Sequence, residues 1–152
     1  MGKMASAIAR GITTLGQDKI CFFDVNSSIQ IPGMAFLPMH DLIVQSNILF
    51  ICVKPQQAGE ILAALKAEDL GGKSIITILA GIPIKTFEHA LGISIPIIRV
   101  MPNMPVVVGE GMSCLCFNQA VNSHQKELAN RFFSALGRVE IVEEATPSSR
   151  FV

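Results

Sequence analysis

The sequence lacks the features of a nucleic-acid-binding, membrane-spanning or secreted protein. Twelve lysine and arginine residues balance twelve aspartate and glutamate residues, so the formal net charge is zero. A nucleic-acid surface needs clustered basic residues, and we predict no nucleic-acid partner. The mean hydropathy is +0.49, yet no run reaches the roughly 18 apolar residues of a membrane span. No basic segment precedes an apolar one as in a secretory signal, so we expect a cytoplasmic protein with no membrane partner.

Residues that bind metals are few and poorly spaced. The four cysteines lie within apolar, strand-like runs, at Cys21, Cys52, Cys114 and Cys116. Free, buried thiols in a reducing compartment are the simplest account of them. Cys114 and Cys116 form a close pair, but no second pair has the spacing of a zinc site. The three histidines are scattered and expected at the surface, so we predict no metal.

Half of the 152 residues are apolar, which is enough for the core of one domain. Short apolar runs predict strands at 20–25, 48–53, 74–79, 96–101, 112–117 and 138–142. Between them lie helical patterns that begin near Met4, Asp41, Pro55, Pro83 and Asn122, the last with the spacing of a capping box. Gly16, Gly92 and Gly137 are predicted to end three of these helices. Because strands and helices alternate, we predict an α/β fold with a largely parallel sheet.

The most informative segment follows the strand that contains Arg99. This strand runs into Met101-Pro102-Asn103-Met104-Pro105, where the prolines fix φ and remove two backbone donors. A Gly109-Glu110-Gly111 turn then reverses the chain into the next apolar run. A rigid loop at the carboxyl end of a strand is where an open α/β sheet holds its ligand.

Two further motifs occur earlier in the chain. The apolar run 48–53, typical of a strand buried on both faces, ends in Val53-Lys54-Pro55-Gln56. Gly2-Lys3-Met4-Ala5 opens the first helical pattern and looks like the second half of a G-x-G-x-x-A fingerprint. All three motifs, in this order, resemble Δ1-pyrroline-5-carboxylate reductase over essentially the whole chain. Met104 stands where that family usually has threonine.

The resemblance implies a function and a cofactor. Members of that family transfer a hydride from NAD(P)H to a small cyclic imine, which gives L-proline in the last step of proline synthesis. Such an enzyme needs no nucleophile, metal or catalytic triad, so we assign no catalytic side chain. Two alternatives stay open: a β-hydroxyacid-dehydrogenase-like oxidoreductase, and a truncated nucleotide-binding module without turnover. Residues 1–6 also fit the short myristoylation pattern M-G-x-x-x-[ST], although the fold already gives Gly2 a role.

Compared with that family, both ends are expected to be missing. The chain begins on the helix side of the fingerprint turn, so we expect a Rossmann-like, doubly wound sheet that lacks its first strand. Residues 1–142 would form the dinucleotide-binding domain. Residues 143–152 would be a loose tail where the family's helical dimerisation domain begins. We expect the whole protein to be a homo-oligomer through that domain, and the fragment alone to be inactive.

The resemblance also implies which residues border the cofactor. Backbone N–H groups of Gly2, Lys3 and Met4 would face the pyrophosphate, where the helix dipole favours an anion. Asp24 would reach the ribose hydroxyls or, by its charge, disfavour a 2′-phosphate. The ribose and nicotinamide side would be bordered by residues after three successive strands: Cys52, Val53, Lys54 and Pro55; Ile78, Leu79 and Ala80; and Met101, Pro102 and Asn103. Leu79 is bulkier than the family's usual alanine, and Arg99 is expected to form a structural ion pair.

Overall fold

The structure, a computed structural model, describes residues 2–16, 19–91 and 94–144. Its elements, in chain order, are α1 (Lys3–Thr13), β1 (Cys21–Phe22), β2 (Ala35–Phe36), α2 (Met39–Gln45), β3 (Ile48–Ile51), α3 (Ala58–Lys66), β4 (Ser74–Thr77), α4 (Ile84–Leu91), β5 (Ile97–Pro102), β6 (Gly111–Phe117), α5 (Ser123–Ser134) and β7 (Gly137–Ile141). Two short 3₁₀ turns, Pro55–Gln57 and Met104–Val108, precede α3 and β6.

The strands form two separate sheets. β1 and β2 make a two-stranded parallel sheet, and the other strands make a five-stranded sheet of order β3-β4-β5-β6-β7. All neighbours in the larger sheet are parallel except β5 and β6, which are antiparallel. The chain reverses between these two strands through a link too short for the crossover that a parallel pair needs. The predicted α/β fold with a largely parallel sheet is confirmed.

Helices cover both faces of the larger sheet. Adjacent residues of β4 point to opposite faces, so Ile75 joins one buried cluster and Ile76 the other. The first cluster lies under α2, α3 and α4 and includes the fully buried Phe87. The second cluster lies under α1 and α5 and includes the fully buried Phe133. β4 is buried along its whole length, because helices pack on both faces of the sheet at this strand.

Local signals in the sequence set several helix ends correctly. The Asn122 Oδ1 accepts the backbone N–H of Gln125 at 2.9 Å, and the Gln125 Oε1 accepts the N–H of Asn122 at 2.9 Å. This is the predicted capping box, and each side chain satisfies a donor that the helix leaves unpaired. Pro55 begins a 3₁₀ turn that continues directly into α3. Gly16 follows α1 with a positive φ of 72°.

Other boundaries differ from prediction. β1 has two residues instead of the predicted six at 20–25, and β2, which the sequence did not indicate, pairs with it. α5 ends at Ser134, before Gly137, which instead begins β7 with φ +138°. A Cβ at Gly137 would overlap the carbonyl oxygen of Gly111, so this glycine permits the close approach of β6 and β7. The predicted stop at Gly92 lies outside the described residues.

The split between the two sheets falls between β1 and β3. β3 has one neighbour, β4, and β1 has one neighbour, β2, among the described strands. In a doubly wound sheet the first strand lies at the centre, between the second and fourth strands of the complete order. Here the corresponding strands are β1 and β3.

Arg99 forms the structural ion pair that was predicted for it. Its Nη1 lies 2.7 Å from Oε1 of Glu144, a residue just beyond β7. Both carboxylate oxygens of Glu144 also lie 3.1 Å from the backbone N of Ile84, at the start of α4. Glu144 is thus anchored, although it belongs to the segment predicted to be a loose tail. Residues 145–152 lie outside the described residues, and the boundary at 142 stays a prediction.

Candidate functional site

The carboxyl ends of β3, β4 and β5 meet at one edge of the sheet. Ile51 pairs with Thr77, and Thr77 pairs with Arg99, in parallel ladders. The segments that continue each strand therefore lie side by side: 52–55 after β3, 78–80 after β4, and 101–103 at the end of β5. Ten of the fourteen predicted cofactor-binding residues belong to these segments. An open α/β sheet binds ligands at this edge.

The turn after β4 is fixed by its own hydrogen bonds. The buried Thr77 Oγ1 lies 3.3 Å from the backbone N of Leu79, and the Ile78 N–H donates to the Ile51 carbonyl at 3.2 Å. Gly81 then takes a left-handed φ of +73°, which a residue with a Cβ adopts at a cost. Ala80 is exposed, whereas the Leu79 side chain is 1% exposed and packs in the core. Only the Leu79 backbone can face a ligand at this edge.

The segment after β3 carries an exposed lysine on a constrained backbone. The Lys54 N–H donates to Gln57 Oε1 at 3.1 Å, and the Gln57 N–H donates to the Lys54 carbonyl at 2.9 Å. The Lys54 ammonium group remains in solvent at the sheet edge. Burial raises the pKa of the neighbouring Cys52 thiol to about 12. Cys52 is therefore neutral near pH 7 and is not activated as a nucleophile.

Asn103 closes the loop between β5 and β6. Its Oδ1 accepts the Met112 N–H at 2.9 Å, and its backbone N–H donates to the Met112 carbonyl at 3.1 Å. The same loop is tightened by Gly109, whose φ is +75°. The sequence singled out Asn103 for its place in the motif but did not show this loop-closing bond. The bond fixes Met101 and Pro102, which are partly buried beside it.

The amino end of α1 offers unpaired backbone donors. Gly2 caps the helix without a side-chain hydrogen bond, and the first turn contains no acidic residue. A Cβ at Gly2 would meet no atom within 4 Å, so the space in front of the helix is open. Lys3 is exposed and Met4 is partly buried. Such a helix end attracts an anion through its N–H groups and its dipole.

Asp24 lies two residues beyond the end of β1. Hydrogen bonds from the chain's amino terminus and from the Asn26 N–H lower the pKa of its carboxyl group. The Asn26 nitrogen is 2.9 Å from Asp24 Oδ1. The carboxylate is therefore ionised at neutral pH. Asn26, Ser27 and Ser28 beside it are exposed.

One cavity lies elsewhere among the described residues. About 450 Å³ in volume, it is lined by Glu68, Lys73, Ser94 and Gln125 among others. These residues precede β4 and β5 or begin α5, so the cavity is at the amino edge of the sheet, opposite the predicted site.

Within residues 2–16, 19–91 and 94–144 no cluster of three histidine, cysteine or acidic side chains that could hold a metal occurs. In the same part of the chain no helix has the length and apolarity to cross a membrane.

Comparisons with known proteins point to one family. A model described as "NADP oxidoreductase coenzyme F420-dependent" matches residues 1–81. The chain is 35% identical to the pyrroline-5-carboxylate reductase of Methanosarcina acetivorans over 68% of its length, and 30% identical to that of Haemophilus influenzae over 95%. These matches span 38% and 56% of the two relatives, so the chain covers less than two thirds of the length of each.

Solved structures agree with this result. Plasmodium falciparum pyrroline carboxylate reductase with NADP bound superposes with a TM-score of 0.84 and 31% identity, over 94% of this chain and 55% of that one. Glycerol-3-phosphate dehydrogenase from Coxiella burnetii has a TM-score of 0.77 at 14% identity over 93% of this chain and 51% of that one, which shows the fold alone. The chain belongs to the NADP oxidoreductase, coenzyme F420-dependent family, and over nearly all of its length it is similar to the N-terminal domain of pyrroline-5-carboxylate reductases.

Proposed function

We propose that this chain is the cofactor-binding half of an NAD(P)H-dependent reductase that converts Δ1-pyrroline-5-carboxylate to L-proline. The observation that supports this most strongly is its likeness, over 94% of the chain, to a pyrroline carboxylate reductase structure with NADP bound. The proposal is also supported by ten of the fourteen predicted site residues, which lie together at the carboxyl ends of β3, β4 and β5, the edge at which an open α/β sheet binds ligands. The remaining half of the protein would position the imine and form the homo-oligomer.

The amino end of α1 fits the phosphates of a dinucleotide. Gly2 leaves open space in front of the helix, and backbone N–H groups of the first turn have no partner within the helix. Gly2, Lys3 and Met4 would hold the pyrophosphate there, with the Lys3 ammonium adding positive charge. The ionised Asp24 would accept hydrogen bonds from ribose hydroxyls.

The other three segments would enclose the reacting ring. The hydride comes from the nicotinamide when the cofactor is bound. The backbone after β4 and the partly buried Met101 and Pro102 would form the surface against which the ring lies. Residues 52–55 would border the adjacent ribose. This chain's part in the reaction is to bind, orient and shield the ring, so that the donor carbon and the imine carbon come within about 3.5 Å.

The alternative of a β-hydroxyacid-dehydrogenase-like oxidoreductase has weaker support. Prephenate dehydrogenase and glycerol-3-phosphate dehydrogenase superpose well, but at 13–14% identity they support the fold only. The Val53-Lys54-Pro55 and Met101-Pro102-Asn103 motifs both favour the imine reductase.

The chain alone is expected to lack turnover, because it would hold the cofactor without a positioned substrate. A cytoplasmic location is part of this proposal.

The test is substrate-dependent oxidation of NADPH and NADH by a protein in which this chain continues into a helical domain, such as a fusion to the remaining half of the Haemophilus influenzae reductase. We expect turnover with pyrroline-5-carboxylate and none with keto acids, the substrates that a hydroxyacid dehydrogenase would reduce. Residues 1–152 alone serve as the control and should show no turnover. Reduction of a keto acid but not of the imine would contradict the proposal.

A further inference from the structure

One face of the β5–β6 pair carries four sulfur-containing side chains. In the antiparallel register Met101 lies directly opposite Cys114, while Met112 and Cys116 stand two positions before and two positions after Cys114 on β6. Residues two apart on a strand share a face, and directly opposite residues of paired strands share it too. These four residues are called the sulfur cluster below.

Strand pairing brings the four side chains within reach of one another. The Asn103 N–H donates to the Met112 carbonyl at 3.1 Å, so the antiparallel ladder continues just beyond β5. Directly opposite residues in such a ladder have Cβ atoms about 4.5–5.5 Å apart, and diagonal neighbours are about 7–8 Å apart, which long side chains still span. Met101 is the direct neighbour of Cys114 and the diagonal neighbour of Met112 and Cys116. This spacing suits four ligands of one ion.

The sulfur cluster extends from the core to the surface. Cysteine and methionine often fill gaps in a core, and Cys116, which is 3% exposed, does so in the buried cluster that includes Phe87. Met101 and Cys114 are partly exposed, and Met112 is 39% exposed. These three residues belong to neither buried cluster. Core packing therefore does not account for them, and an ion can reach their sulfur atoms from solvent.

Charged side chains around the sulfur cluster balance one another. Arg99 Nη2 donates to the Met101 sulfur at 3.6 Å, and the positive charge of Arg99 is paired with Glu144. On β7, which pairs with β6, Glu140 and Arg138 lie on the same face of the sheet as the sulfur cluster. Because the two acidic and two basic groups cancel, sulfur chemistry decides which ion is bound.

The four ligands select a soft metal ion. Among the residues that the structure describes, no three histidine, cysteine or acidic side chains meet, as a zinc site would require. Thiolate and thioether ligands together select Cu(I). The sequence predicted no metal because Cys114 and Cys116 lack a second cysteine pair at zinc spacing. Met101 joins them only through the pairing of β5 with β6.

We propose that the sulfur cluster is a binding site for one Cu(I) ion. The thiolates of Cys114 and Cys116 and the thioethers of Met101 and Met112 are its ligands. On binding, each thiol releases its proton to solvent and its sulfur forms a bond to copper, and no electron is transferred. The inference does not depend on cofactor binding or on the proposed reaction.

The direct test is an anaerobic titration of the full chain with Cu(I) in competition with the chelator bathocuproine disulfonate. We expect one tightly bound equivalent. Cys114→Ala/Cys116→Ala should weaken the affinity by about a hundredfold or more, because both thiolate ligands are lost. Cys21→Ala/Cys52→Ala is the matched control, since it also retains two of the four free cysteines, and its affinity should stay close to that of the unmodified chain.

A second measurement follows the methionine methyl groups by NMR and decides the question even where the alanine variant does not fold. One equivalent of Ag(I), a redox-inert ion of the same charge and softness, should shift the methyl signals of Met101 and Met112. The signals of Met34, Met39 and Met104 should stay unchanged. Met104 is 67% exposed and so reports unspecific binding to surface thioethers. Met101→Leu and Met112→Leu, which conserve volume, assign the two signals.

Three outcomes would overturn the proposal. The first is equal Cu(I) affinity of the two double alanine variants. The second is an Ag(I) shift at Met104 as large as those at Met101 and Met112, which would mean unspecific binding. The third is the absence of any methyl shift at one equivalent of Ag(I), which would exclude the thioethers as ligands.

Discussion

Arg99 and Glu144 form an ion pair that ties the end of the described chain to the middle of the sheet. The Arg99 side chain is 5% exposed and that of Glu144 is 19% exposed, with 2.7 Å between Nη1 and Oε1. Glu144 also accepts the Ile84 N–H, so one carboxylate connects β5, the start of α4 and the segment after β7. Arg99 lies two residues before Met101, which belongs to the candidate site.

Removal of the Glu144 charge should destabilise the chain strongly. Glu144→Gln leaves the guanidinium group of Arg99 buried without a counter-ion, and breaking such a pair costs about 3–5 kcal/mol of unfolding free energy. Urea denaturation measures this loss. Glu143→Gln changes the exposed neighbour and should alter stability by less than about 0.5 kcal/mol. Equal stability of the two variants would show that the pair contributes little.

A carboxylate at Gly2 should weaken dinucleotide binding without unfolding α1. Aspartate is a better helix cap than glycine, so Gly2→Asp should keep or raise helix stability. Its charge about 4 Å from a phosphate would cost roughly 1–4 kcal/mol, which is tenfold or more in the dissociation constant. The control is Ser123→Asp, also at an exposed helix start but at the opposite edge of the sheet. Titration calorimetry with NADPH that gives equal affinities for both variants would place the phosphates elsewhere.

Asp24 is expected to bias the chain towards NADH. Its carboxylate would repel a 2′-phosphate, and Asp24→Ser should shift the ratio of NADPH to NADH affinity by about tenfold or more towards NADPH. Asp69→Ser is a matched control, because Asp69 also accepts an N–H two residues ahead at 2.9 Å but lies at the opposite edge. A preference for NADPH in the unmodified chain that Asp24→Ser leaves unchanged would mean that Asn26, Ser27 and Ser28 receive the phosphate.

The raised pKa of the Cys52 thiol predicts that the chain loses stability at alkaline pH. Burial raises its pKa from 9.0 to about 12 in the folded chain, so between these values the folded state binds more protons than the unfolded state. Stability then falls with rising pH, by at most about 1.4 kcal/mol per pH unit from this group. Denaturation between pH 8 and 11 should show a smaller decline in Cys52→Ala than in the unmodified chain. Parallel declines would mean that the thiol is not shielded.

The sequence predicted those parts of the fold that depend on local signals. The capping box at Asn122 and the helix start at Pro55 involve residues close in the chain, and their physics is the same in any protein. The run 74–79 could be recognised because β-branched residues, which favour strands, predominate in it. The two residues of β2, Ala35 and Phe36, are too few to show any periodicity.

The candidate site was predictable in outline and not in detail. The motifs indicated the segments after β3, β4 and β5. The role of each residue in them depends on contacts with residues that are distant in the sequence. The bond from Met112 to Asn103 crosses a whole loop, and the Glu144 partner of Arg99 is 45 residues away. Leu79 is directed into the core by the turn that Thr77 fixes, which no single-residue propensity reveals.

The most direct test of the central claim is amide-resolved NMR of this chain titrated with NADPH and NADH. We predict shifts at the amino end of α1, at Asp24, and in the three segments 52–55, 78–80 and 101–103, with little change near Glu68 and Lys73 at the opposite edge. Shifts confined to the cavity beside Glu68 and Lys73, or no saturable shift with either cofactor, would contradict a dinucleotide site at the carboxyl edge of the sheet.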